Sequence, residues 1–264
     1  MRRPVRIAST LLLAAFVLLG TGCFQLRAVV RILRDGSGTQ SVRMAFGRQV
    51  ERELQKAAVA TSAGLREVFD PLLAFDEEAV RRDFEERGLE LTSHETEQGY
   101  SRRSAEIGAR FDALTTLRRS PLLGEDCEWF VLPGRTEGGL RIVCYPRGHV
   151  AWKVGREKAR KLLQEPPDYR QQFFELRKPS LEGLDLELRL ELPGAVRYST
   201  GNVQRTDEQG VVVFRVTAES VRTPSDLLEL LAPRIEVEFD GTGCTMPLGE
   251  VDPGLEPDPD TTDG

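Results

Sequence analysis

From Leu184 to Leu192 every second residue is a leucine, and the four residues between them, Asp185, Glu187, Arg189 and Glu191, are all charged. A side-chain period of two is that of a β-strand, because a helix would scatter those leucines around its circumference. One apolar and one charged edge means one buried and one wet face, which is how strands of an antiparallel sheet are built. Pro193-Gly194 ends the run. The pattern returns where Ile235, Val237 and Phe239 alternate with Glu236, Glu238 and Asp240, and Val211 to Val216 follows an Asp207-Glu208-Gln209-Gly210 turn. The chain is therefore committed to sheet with at least one apolar face to cover.

Two hairpins are expected upstream. Ala28, Val30 and Ile32 precede Asp35-Gly36-Ser37-Gly38, and Val42, Met44 and Phe46 follow. A Gly-Ser-Gly loop places Ile32 opposite Val42, Val30 opposite Met44 and Ala28 opposite Phe46. In the second hairpin Cys127, Trp129 and Val131 share one strand face, and Leu140, Ile142 and Cys144 share the next. Folding over Pro133 to Gly139 pairs Trp129 with Ile142, Val131 with Leu140 and Cys127 with Cys144, a register that admits a disulfide. Two buried free thiols, or a bridge to Cys244, are the alternatives. Leu89 to Ser93 and Tyr100 to Ala109 read as two more strands around Glu97-Gln98-Gly99.

Helical periodicity occupies residues 48 to 87. Leu65, Val68, Phe69, Leu72 and Leu73 fall on one helix face, with Pro71 as a kink or stop. Asp76 can cap a helix to Arg87, with Gly88 beyond it and Glu77–Arg81, Glu78–Arg82 and Asp83–Arg87 at i, i+4 spacing. Arg156 to Gln164 is a short basic helix that stops before Pro166-Pro167, and Thr223-Pro224-Ser225-Asp226 is a helix start with cap, proline and acid in order. There is no βαβ rhythm. The fold class is α+β, antiparallel sheet with helices packed on one side.

The N-terminus sets the address. Arg2, Arg3 and Arg6 precede an apolar run from Ile7 to Leu19, and then comes Gly20-Thr21-Gly22-Cys23. The run is shorter than the ~20 residues that span a bilayer, so residues 1–22 read as a cleaved lipoprotein signal peptide and Cys23 as the lipidation site. The small residues before Cys23 resemble the lipobox of bacterial lipoproteins, though Gly20 stands where leucine is usual. Palmitate and related acyl chains on Cys23 supply two or three anchors, enough for stable tethering. The expected place is the bacterial cell envelope, with Phe24 after the cysteine favouring an outer membrane where one exists. Residues 23–249 form the β-rich domain, and residues 250–264, rich in Pro, Gly and acid, are expected to be a disordered tail.

The net charge of −6 includes the three leader arginines, so the mature domain is more acidic still. That excludes a general nucleic-acid binder, which needs clustered cations. Chemistry is sparse. His94 and His149 are the only histidines, and HExxH, CxxC, GxSxG and P-loop patterns are absent. No catalytic residue, metal site or cofactor is assigned. The expected partners are the membrane, through Cys23, and either a lipid or amphiphile or another envelope protein. For the first, the sheet and the Leu65 to Leu73 helix would enclose an apolar cavity. For the second, an edge strand or the basic Lys153 to Lys161 stretch would be the contact.

Leu190-Glu191-Leu192-Pro193-Gly194, Gly201-Asn202 and Val211 to Val216, together with Asp35-Gly36-Ser37-Gly38 near the mature N-terminus, resemble the LppM-type bacterial envelope lipoprotein domain. The resemblance covers the start of the mature chain and roughly Leu184 to Val216. It implies an envelope location and a β-rich fold, with lipid contact suspected for some members. It carries no catalytic residues.

Overall fold

The computed structural model describes residues 24–48, 74–119, 127–231, 233–249 and 252. Among them eleven strands form two sheets. The larger has the order β3-β4-β2-β1-β7-β10-β9 and the smaller β5-β6-β11-β8. In the first, β1 (Phe24–Ile32) lies between β2 (Gly38–Gly47) and β7 (Leu184–Glu191); β4 (Arg102–Phe111) and β3 (Glu90–Gln98) extend one side, and β10 (Val211–Thr217) and β9 (Val203–Arg205) the other. All its pairings are antiparallel except β1 with β7, which run in parallel from Phe24 opposite Leu184. The second sheet is β5 (Glu128–Pro133), β6 (Gly139–Tyr145), β11 (Ile235–Asp240) and β8 (Val196–Ser199).

The apolar faces of the two sheets meet in one core. Val30, Ile32, Val42, Ile107 and Phe111 from the large sheet pack with Trp129, Ile142, Val237 and Phe239 from the small one. The α+β class holds, with four helices among the described residues. Helix α1 (Glu77–Glu86) starts as expected: Asp76 accepts from the Ala79 amide at 3.1 Å, and Val80 and Phe84 enter the common core. The pairs Arg81–Glu77 (2.8 Å) and Arg87–Asp83 (3.0 Å) form on its outer side. Helix α2 (Gly148–Gln164) is longer than its charge pattern suggested, and lays Trp152 on the far face of the small sheet against Leu132, Val143 and Tyr145. Helix α3 (Pro167–Arg177), missed in the sequence, begins with Pro167 in its first turn. With α4 (Pro224–Leu231) it closes a satellite core of Phe174, Leu181, Leu184, Val216 and Leu227.

Both hairpin registers differ from expectation. In the first, Ala28 lies opposite Val42 and Leu26 opposite Met44, a shift of four residues along β2. The turn is longer because the Asp35 carboxylate accepts from the Ser37 amide at 3.0 Å and its hydroxyl at 2.7 Å, with Gly36 at φ 88°. Gly38 then becomes a strand residue opposite Ile32, where a Cβ would stand 2.0 Å from the Arg31 carbonyl. In the second, Trp129 faces Cys144 and Val131 faces Ile142, a shift of two. The turn tightens on a Gly134 amide bond to the Gly139 carbonyl at 2.9 Å, which keeps Pro133 and Leu140 in the ladder. Both shifts are even, so every side chain keeps its face.

Candidate functional site

The described residues hold three arrangements of chemically capable groups. The first is the face of the large sheet turned away from the core. Among the described residues no helix covers it, and its side chains form a charge ladder across the strands. Arg31 donates to Glu191 at 2.6 Å, and Arg189 donates to Glu191 at 3.1 Å and to Glu208 at 2.6 Å. Arg215 reaches Asp185 at 3.1 Å, and Arg110 reaches Glu90 at 3.3 Å. Burial pushes the Glu191 carboxyl up, but its two arginines outweigh that and leave it below the ordinary range. Two concavities open here, of about 170 Å³ and about 290 Å³. Gln25, Arg27, Arg43, Ala45 and Arg102 line the smaller, and Arg31, Thr39, Ser41, Thr92, Ser93 and Glu191 are among those lining the larger.

The second arrangement lies beneath α2, on the far face of the small sheet. Arg234 donates to Glu236 (2.5 Å), to Asp252 (2.7 Å) and to the Tyr145 hydroxyl (3.1 Å), and Tyr145 donates to Asp252 at 2.5 Å. Glu236 also receives Arg135 at 2.6 Å and Arg141 at 3.1 Å. Burial raises the Tyr145 phenol, the Asp252 carboxylate raises it further, and Arg234 only partly opposes them. Both carboxylates are saturated by protein donors, so the network is a structural tie. It reaches into the expected tail: Asp252 is 4 % exposed, and the Gly249 amide bonds the Val131 carbonyl at 2.7 Å.

The third is the thiol pair. Cys127 and Cys144 are both free and buried, with sulfurs 3.7 Å apart, so the expected disulfide is not formed. The two-residue register shift puts them diagonally across the ladder. Burial pushes the Cys144 thiol well up, and the Cys127 thiol beside it adds to the shift. Cys244 is also free.

The histidines are apart and occupied. His94 Nε2 is 2.8 Å from the Ala74 carbonyl, and His149 Nδ1 is 2.6 Å from Glu128. Cys23 and the Leu65 to Leu73 helix lie outside the described residues, as does the wall the latter would give an apolar cavity. Glu236 and Glu238, read from the alternation as facing water, are 1 % and 2 % exposed. The feature that the sequence did not reveal is the arginine-lined concavity, because its members come from three strands and meet only through register.

No family model and no curated relative matches the chain. A search of solved structures found similarity to the folded domain of the Mycobacterium tuberculosis LppM protein, solved by NMR. It has a TM-score of 0.40 and 10 % identity, covering 83 % of this chain and 90 % of that one.

Proposed function

We propose that this chain is a lipoprotein of the bacterial envelope, acylated at Cys23, whose work is binding at the membrane surface and not catalysis. What supports it is the join between leader and domain. Phe24, the residue after the proposed acylation site, already lies in β1, an inner strand of the large sheet. Cleavage before Cys23 would thus hand over a chain whose first residues are already sheet, with the lipid attached without a spacer. The binding reading favours surface recognition of an amphiphile's polar head. Both concavities are lined largely by side chains that hydrogen-bond or carry charge, a poor lining for an acyl chain. Among the described residues no helix is long and apolar enough to cross a membrane; the tether proposed is the acylated Cys23.

A second reading, an assembly lipoprotein that docks another envelope protein, has its own support in α2. Val150 and Val154 are 64 % and 51 % exposed there beside Lys153, Lys158 and Lys161.

Intact-mass measurement of the natively purified protein tests the proposal. The expected species starts at Cys23, carries two or three acyl chains and copurifies with amphiphile. A chain retaining residues 1–22 without acylation overturns the tether. An acylated chain that releases no lipid but holds a stoichiometric protein favours the second reading.

A further inference from the structure

Most arginines on the outer face of the large sheet hold a carboxylate closely. Arg31, Arg110, Arg189 and Arg215 each hold a carboxylate at 3.3 Å or closer. The three arginines of the smaller concavity do not. Arg27 reaches only Asp185, at 3.5 Å, and that carboxylate is already held by Arg215 at 3.1 Å. Arg102 spends its guanidinium on a neutral group, the Gln25 amide oxygen at 2.6 Å. Arg43 is exposed and has no ion-pair partner among the described residues. Glu106 stands in register with it, its carboxylate 3.5 Å from the Ser41 hydroxyl. Moreover Arg43 and Arg27 are direct cross-strand partners. Like charges opposite one another in a ladder are destabilising, a cost offset in part by Glu187 in register with Arg27 and Glu106 in register with Arg43.

We propose that this concavity, walled by Gln25, Arg27, Arg43 and Arg102, binds a phosphate group. Guanidinium groups present paired N–H donors that match phosphate oxygens, and their charge assists each bond. The volume of about 170 Å³ takes a headgroup-sized anion, below the range for whole small ligands. Its position names the nearest source. Phe24, Phe46 and Arg103 share one row at the end of the sheet where the chain emerges from Cys23, and Gln25 and Arg102 belong to that end. Tyr100, 90 % exposed in the β3–β4 turn at the same end, carries the Arg48 guanidinium 5.1 Å from its ring centre. Such an amphipathic ring suits the interface between water and lipid. Phospholipid headgroups are therefore the source within reach, an assignment that rests on the acylation of Cys23; free phosphate shares the chemistry without that condition.

The test uses full-length acylated protein in neutral maltoside micelles at low salt, titrated calorimetrically with inorganic phosphate, dihexanoyl phosphatidylglycerol and phosphate-free dihexanoylglycerol. Binding of either phosphate-bearing probe is expected, and which one binds tells headgroup from free anion. Arg43→Gln weakens that binding about tenfold, the loss of one charge-assisted contact, and Arg43→Lys restores part of it. Arg82→Gln, which removes an exposed cation from α1, leaves it unchanged. Arg43→Gln keeps a single cooperative thermal transition, which separates lost binding from lost folding. Equal losses in the Arg43 and Arg82 variants, equal binding of dihexanoylglycerol, or no binding of any probe overturns the site. Absence of acyl mass in the same sample defeats only the headgroup source, since the phosphate titration still reads the pocket.

Discussion

Strands β7 and β11 carry the same alternation of apolar and charged residues, yet their charged sides meet opposite fates. On β7 they face open solvent, and Asp185, Glu187 and Glu191 pair with arginines from neighbouring strands while keeping 14–26 % of their side-chain surface exposed. On β11, between β6 and β8, Glu236 and Glu238 are shut away from water. Glu236 survives there only because Arg135, Arg141 and Arg234 saturate it. Period two therefore names the two faces of a strand; what the neighbours lay over the second face decides whether it is wet.

The sharpest way to break the comparison is to remove one acid from each strand. Glu236→Ala leaves Arg141 in a nearly dry site without its counter-charge and Arg234 with Asp252 alone, at an expected cost of about 3–5 kcal/mol. Glu187→Ala on the open face costs under about 1 kcal/mol. Urea unfolding of the two variants reads both, and equal losses would show that the β11 face is wet after all. Next in size is Tyr145→Phe, which removes the donor from Asp252 and an acceptor from Arg234. A buried carboxylate oxygen stripped of its donor costs about 1–3 kcal/mol. Because Asp252 ties down the segment that follows β11, the same variant should speed proteolysis near residue 252, which mass mapping of the fragments detects.

The acids also respond to pH in a direction the contacts fix. Burial raises the Glu238 carboxyl, but the Thr136 hydroxyl and the Arg135 and Thr136 amides outweigh it and leave the group below its ordinary 4.5. A depressed folded-state value means stability is fully present above pH 4.5 and drains away as pH falls through the lower value. Glu238→Gln keeps an oxygen for Thr136 and loses the titration. Its unfolding free energy should depend less on pH below 4.5 than that of the unaltered chain, by chemical denaturation at each pH.

Much of this fold is legible in the chain, and the parts that are not share a cause. Strands β7, β10 and β11 and helices α1 and α4 announce themselves through local period and capping residues. Register does not, because an even slip preserves every face. The expected first hairpin sets Arg43 opposite Arg31, whereas the Asx turn at Asp35 sets it opposite Arg27. The arginine-lined concavity exists only in the second register, so no reading of period could have located it. The thiols are a parallel case, two residues out of line with the expected bridge. Helix α3 is hidden for a different reason. Pro166-Pro167 stops α2, but Pro167 is also a first-turn proline with Asp168 behind it, a start signal hidden in a stop signal.

The smallest expected effect is the most direct measure of how the two faces differ. Arg31 and Glu191 stand 2.6 Å apart with side chains 63 % and 20 % exposed, and Arg234 and Glu236 stand 2.5 Å apart at 13 % and 2 %. Distance alone would rank them as equals. Water around Arg31 screens the first pair, and Glu191 keeps Arg189 if Arg31 is lost, so a double-mutant cycle should give a coupling under about 1 kcal/mol. That coupling should shrink by roughly half between 0.05 and 0.5 M salt, as the Debye length shortens from about 14 to about 4 Å. The Arg234–Glu236 coupling should exceed it and hold across the same range, because ions do not reach a pair so enclosed. A β7 coupling as large and as salt-resistant as the β11 one would mean that something covers the outer face of the large sheet in solution, and the wet ladder would have to be redrawn as an interface.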